Sequence, residues 1–116
     1  MLESDIQEAV VKFIDSTYPD TLYCASAGGM RTSMRQAIKM KRTGYKKGFP
    51  DLQIMQPTHL HHGLFIEIKT SKGQASPEQK AWRDELNKRG YRAVICKGFD
   101  ACILEIITYM NERRFE

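Results

Sequence analysis

Between Thr21 and Pro50 the 116-residue sequence contains no aspartate or glutamate. That stretch carries seven bases (Arg31, Arg35, Lys39, Lys41, Arg42, Lys46 and Lys47), which leaves eleven bases against fourteen acids elsewhere. A net charge of +4 therefore conceals a strongly basic patch on an otherwise slightly acidic chain. Such segregation implies a polyanionic partner, with nucleic acid the first candidate. The plainer alternative is a solvated helix face, the usual fate of a charge run.

Other shortages narrow the class further. Cysteine is scarce: Cys24, Cys96 and Cys102 are an odd number without metal-type spacing, so they read as reduced thiols of a cytoplasmic protein rather than a disulfide framework. No apolar run is long enough to span a bilayer, and no membrane association is expected. The opening MLESDIQEAVVKFI is acidic and amphipathic, unlike a secretory signal. Repeats, linkers and low-complexity segments are lacking, so residues 1–116 are read as one domain with a modest core.

What is present alternates between helix and strand signals. Residues 4–16 read as a helix with Ser4 as its N-cap and Ile6, Val10, Phe13 and Ile14 on one face. A short strand, 21–26, ends at Gly28-Gly29. A second helix over 31–42 runs an apolar stripe (Met30, Met34, Ile38) beside its basic one. Strands follow at 51–55 and 64–70, joined by the loop QPTHLHHG. The clearest helix signal is 76–90, with Ser76 as N-cap, Pro77 at the first helical position, Gln79 completing a capping box and Gly90 at the end. Trp82 and Leu86 lie one turn apart on it, a spacing that marks Trp82 as a packing residue. YRAVIC (91–96) is apolar enough for an internal strand, and a final helix over 100–110 would be capped by Asp100. The order predicts an α/β fold, a mixed central sheet flanked by helices on both faces.

Two of those strands carry charge. Alternation sends Leu64, Ile66 and Ile68 to one face and Phe65, Glu67 and Lys69 to the other. If 51–55 and 64–70 pair antiparallel through the loop, Asp51 arrives beside Glu67 and Lys69. Two adjacent carboxylates repel unless a cation lies between them. Hard oxygen ligands suit Mg²⁺ or Mn²⁺, whose bound waters can serve as nucleophiles, and a neighbouring ammonium can orient such a water or stabilise charge on a phosphate. The alternative from spacing alone is a structural Glu–Lys pair. His59, His61 and His62 in the loop resemble a zinc site, but no cysteine or further histidine completes a tetrahedral set, so they are read as a solvated loop without native metal.

The pattern Pro50-Asp51 followed by Glu67-Ile68-Lys69 resembles the P-D…(D/E)-x-K signature of metal-dependent nucleases. Its surroundings, GFPDL and then FIEIKTSKGQASPEQKAW, closely resemble the VRR-NUC domain, as do ESDIQEAV and SAGGMRTSMRQAIKMKRTGYKKG. The resemblance covers nearly the whole chain. It implies a restriction-endonuclease-like αβββαβ core and a DNA endonuclease using Mg²⁺ or Mn²⁺. Asp51, Glu67 and the carbonyl of Ile68 would hold the ion, while Lys69 positions the attacking water. The family's first helix supplies an acid; Glu3 in the E-x-x-I-Q pattern is the first choice and Glu8 the second, with Gln7 one turn from Glu3. Gln79 matches the family's helix glutamine at the edge of the site. DNA contacts are expected from Arg31, Arg35, Lys46, Lys47 and Lys72. Small stand-alone relatives of this kind, phage- or prophage-encoded and acting in a bacterial cytoplasm, resemble Holliday-junction resolvases, so branched DNA and a homodimer are expected. Flap, nick or single-strand cleavage, an RNA nuclease, and a catalytically idle DNA-binding module are the competing readings.

Overall fold

The computed structural model describes residues 1–27 and 32–114. Its elements run α1 (Glu3–Thr17), β1 (Tyr23–Ala25), α2 (Met34–Arg42), β2 (Leu52–Ile54), β3 (Leu64–Lys69), α3 (Pro77–Lys88), β4 (Arg92–Lys97) and α4 (Phe99–Met110). The four strands form one mixed sheet in the order β1-β2-β3-β4, antiparallel except for the parallel β3–β4 pair that α3 connects. Ignoring α2 and α4, this is the expected αβββαβ core.

Period-two alternation in β3 divides the molecule into two layers. Leu64, Ile66 and Ile68 are fully buried with Ile6, Val10 and Ile14 of α1 and Cys102, Ile106 and Tyr109 of α4. On the opposite face Phe65 and Ala93 meet Leu86, with Phe49, Trp82 and Tyr91 packed around them. Edge-to-face ring pairs tie this smaller layer together, Phe49 lying 5.1 Å from Trp82 and 5.9 Å from Phe65. Trp82 is a packing residue, as its spacing predicts.

Several expectations need correction. Helix α1 begins at Glu3, not after Ser4: the Leu2 amide donates to Asp5 Oδ2 at 3.0 Å, so an acid in the first turn closes the end that Ser4 was expected to cap. Gly98, not Asp100, stands before α4, and Asp100 lies within its first turn, where the helix dipole favours an acid. Strand β4, expected to be internal, is an edge strand among the described residues, paired with β3 alone; α3 and α4 cover its apolar side chains from the two faces. Helix α2 starts later than expected, at Met34, with Ser33 and Gln36 forming its capping box. No α2 residue is buried; Met34 and Ile38 are 81% and 60% exposed. Arg31 and Met30 lie outside the described residues.

Candidate active site

Four elements deliver side chains to one end of the sheet. The antiparallel register of β2 and β3 places Leu52 against Ile66, so Asp51, just before β2, falls beside the end of β3. There Asp51 Oδ2 accepts a hydrogen bond from the Ile68 amide at 2.7 Å. Glu67 is 4% exposed although charged residues are rarely buried unpaired. Its Oε2 accepts from Gln79 Nε2 at 3.0 Å and lies 3.9 Å from Lys69 Nζ. Lys69 reaches Glu3 of α1 as well, at 3.8 Å.

Gln79 serves two purposes at once. Its backbone amide donates to Ser76 Oγ at 3.1 Å and its Oε1 accepts from the Ser76 amide at 2.9 Å, the expected capping box. That fixes the side chain so that Nε2 points at Glu67. Helix α3 is in turn clamped to the basic segment: Gly48, with φ of +91°, passes so close that a Cβ there would lie 2.7 Å from the Glu78 carbonyl carbon. The Trp82 indole donates to the Lys47 carbonyl at 3.1 Å.

The electrostatics of this end are unsatisfied. Burial, and then the neighbouring Asp51 carboxylate, push the Glu67 carboxyl up to about 9, against the opposing pull of Lys69. Among the described residues two buried side-chain polar atoms have no hydrogen-bond partner, Glu67 Oε1 and Ser26 Oγ. Both belong to this end. Ser26 follows β1, and its amide donates to the Asp51 carbonyl at 2.9 Å. It lines, with Glu3, Gln7, Glu8 and Asp51, a cleft of about 470 Å³.

The structure thus brings Glu3, Asp51, Glu67, Ile68, Lys69 and Gln79 together. Glu8 also lines the cleft, but its carboxylate pairs with Lys12 at 3.7 Å, whereas Glu3 meets Lys69. Among the described residues no three His, Cys, Asp or Glu side chains gather as a metal-holding group; the acids converge as the Asp51–Glu67 pair, with Glu3 held on the lysine. Arg35, Lys46, Lys47 and Lys72 are all exposed. Lys47 pairs with Glu78 at 3.8 Å, and Arg31 lies outside the described residues. Sequence reasoning missed Ser26. The signal was available: pairing Ala25 with Leu52 sets the next residue of one strand opposite Asp51.

The family model of the VRR-NUC domain matches residues 6–100, a span that contains Ser26, Asp51, Glu67, Lys69 and Gln79. The chain belongs to the VRR-NUC family. A solved structure described as a VRR_NUC domain protein is 32% identical and superposes with a TM-score of 0.84, covering 100% of this chain and 93% of its own. A second, described as a VRR_NUC domain, is 19% identical with a TM-score of 0.56, covering 90% and 97%, and supports the fold. Comparison with curated proteins gave no match. As a VRR-NUC domain the chain is a nuclease-fold module. Glu3 precedes the matched span, so its place at the site rests on geometry alone. Among the described residues no helix is long and apolar enough to cross a membrane.

Proposed function

We propose that this VRR-NUC domain is a divalent-metal-dependent endonuclease that hydrolyses phosphodiester bonds in DNA. The observation that carries the reading is the orphaned, buried Glu67 Oε1 beside Asp51, with the Lys69 ammonium at hand. A buried carboxylate oxygen without a partner is costly unless a ligand supplies one. Two adjacent carboxylates fit a hard cation, Mg²⁺ or Mn²⁺. Asp51, Glu67 and the Ile68 carbonyl would hold it, with Glu3 as the further acid at the edge. Such an ion would supply an activated water and neutralise charge on the phosphate.

The chain's own residues do the rest. The Ile68 amide locks the Asp51 carboxylate, and the Gln79 amide locks that of Glu67, so both are oriented before substrate arrives. Lys69, 11% exposed and braced by Glu3, offers its ammonium to the attacking water and to the charge developing on the phosphate. Ser26 Oγ can donate to a water or phosphate oxygen in the cleft. Arg35, Lys46, Lys47 and Lys72 supply phosphate contacts, which position without reading sequence.

Each chain holds one such site, so cutting two opposed strands of a four-way junction requires a symmetric dimer. We assign branched DNA as the substrate and a homodimer as the working form. Labelled four-way junctions, flaps and duplexes incubated with Mg²⁺, Mn²⁺ or EDTA test this. Cleavage is expected with either ion, preferentially of junctions, and is lost in EDTA and in Lys69→Ala. Cleavage unchanged by EDTA or by Lys69→Ala refutes the mechanism. Preference for flaps or nicks, or a monomer by light scattering, removes the junction reading while leaving the nuclease one. Binding without cleavage identifies the idle module.

A further inference from the structure

A second cavity, of about 620 Å³, lies between α2 and the chain that follows it. Helix α2 ends where Thr43 Oγ1 donates to the Lys39 carbonyl at 2.8 Å, and Gly44, with φ of +113°, turns the backbone sharply. The Tyr45 amide then donates to the Met40 carbonyl at 2.9 Å, so residues 45–47 fold back alongside the helix. Ala37, Met40 and Tyr45 line the space with apolar and aromatic surface, and Met40 and Tyr45 are half-buried there. Lys41, Lys46 and Lys47 stand around it, Lys47 also pairing with Glu78 at 3.8 Å, and no acid is among the described residues that line it.

One aromatic ring beside apolar side chains, with three lysines on the lining, matches a nucleotide better than a bare phosphate. A phosphate needs the charges alone, while a base needs a ring to stack on. A paired base already has both faces stacked and cannot enter a pocket. The location agrees. Lys47 is fastened to α3 through the Trp82 indole, and Gly48 rests on the turn of α3 that carries Gln79, which holds Glu67. The chain that closes the cavity is thus joined through Lys47 and Gly48 to the helix that carries Gln79.

We propose that this cavity holds one unpaired nucleotide of the DNA substrate, its base stacked on Tyr45 and its flanking phosphates on Lys41, Lys46 and Lys47. The proposal rests on the nuclease reading and deepens it: among branched DNAs, the preferred substrate carries an unpaired base near its branch point.

Fluorescence anisotropy in EDTA tests it without cleavage, using three labelled duplexes: fully paired, with a single bulged thymidine, and with a bulged abasic site. Wild type is expected to bind the bulged thymidine about tenfold more tightly than the other two, the scale of one base–aromatic stack. Tyr45→Phe keeps that preference. Tyr45→Ala and the bulkier Tyr45→Leu, checked for folding by circular dichroism, lose it while retaining affinity for paired duplex. Lys46→Ala weakens all three alike and lowers the salt dependence. Equal affinity for the three duplexes, a preference that survives loss of the ring in Tyr45→Leu, or no DNA binding at all overturns the proposal. Since binding is read in EDTA, a failure of the catalytic reading leaves this result standing. Equal affinity for the three duplexes, or a preference that outlives the ring, sinks this proposal alone, while no DNA binding sinks the nuclease reading with it.

Discussion

The two ends of the sheet use similar side chains to opposite effect. At the hairpin end, Thr58 is buried, and its hydroxyl lies 2.7 Å from Glu112 Oε1 and accepts from the amides of Leu60 and His61. The same Glu112 oxygen lies 2.9 Å from His61 Nδ1. The buried Tyr109 phenol donates to the Gln56 carbonyl at 2.6 Å, and burial, reinforced by Glu112, pushes it up to about 12. At the other end Glu67 and Ser26 each leave a buried oxygen without a partner. Folding satisfies the polar groups of the hairpin end and leaves two open at the end proposed to take a ligand.

Breaking the open end should cost activity. Lys69→Ala is expected to lower the rate of metal-dependent cleavage by about 10²–10³-fold, the scale of one group that stabilises transition-state charge. The fold should survive, since the substitution removes no core side chain. Steady-state cleavage of a labelled substrate beside a thermal melt checks both halves. A loss of folding that matches the loss of activity would erase the contrast between the ends.

How far this contrast could be read from sequence depends on what each end is made of. Alternation in LFIEIKT and an antiparallel hairpin are enough to bring Asp51, Glu67 and Lys69 together, because both are local rules. The capping box at Ser76 fixed α3, though not that Gln79 would spend its amide on Glu67 as well. The histidine loop shows the opposite failure. It was expected to be solvated, yet His61 and Thr58 are bound to Glu112, more than fifty residues away, and the His59 amide donates to the Arg113 carbonyl. A partner that distant leaves no trace in local pattern. The edge position of β4 was illegible for a related reason: apolar content reports burial of faces, which helices provide as well as strands do. Helix α2 reads as amphipathic, but nothing in its sequence says that Met34 and Ile38 stay exposed.

Breaking the closed end should cost stability and nothing else. Glu112→Ala leaves the buried Thr58 hydroxyl and the His61 ring without their shared acceptor, a loss of about 1–3 kcal/mol. For a domain of this size that lowers Tm by roughly 2–8 °C per kcal/mol. The cleavage rate per folded molecule should be unchanged, because the hairpin and the site lie at opposite ends of β3. Denaturant melts paired with cleavage assays decide it. An unchanged melt would mean that these contacts only decorate the loop.

The sharpest effect is one of pH at the open end. Glu67 is held as a neutral acid up to about 9 when folded, against 4.5 for the ordinary carboxyl. Between those values the native chain binds a proton that the unfolded chain has lost. The group's contribution to stability is therefore complete below about 4.5 and is lost as pH rises toward 9. Glu67→Gln keeps the shape and the acceptor for Gln79 but cannot ionise, so this slope should disappear. Metal-free wild type and Glu67→Gln should melt alike near pH 5, and the variant should melt progressively higher as pH rises to 9, while cleaving nothing. Mg²⁺ should oppose the trend in wild type alone, since it favours the ionised carboxylate and displaces the proton. Thermal melts from pH 5 to 9, with and without Mg²⁺, measure both. Parallel curves for the two proteins would mean that Glu67 carries no special burden, and the unsatisfied end would then be no different from the satisfied one.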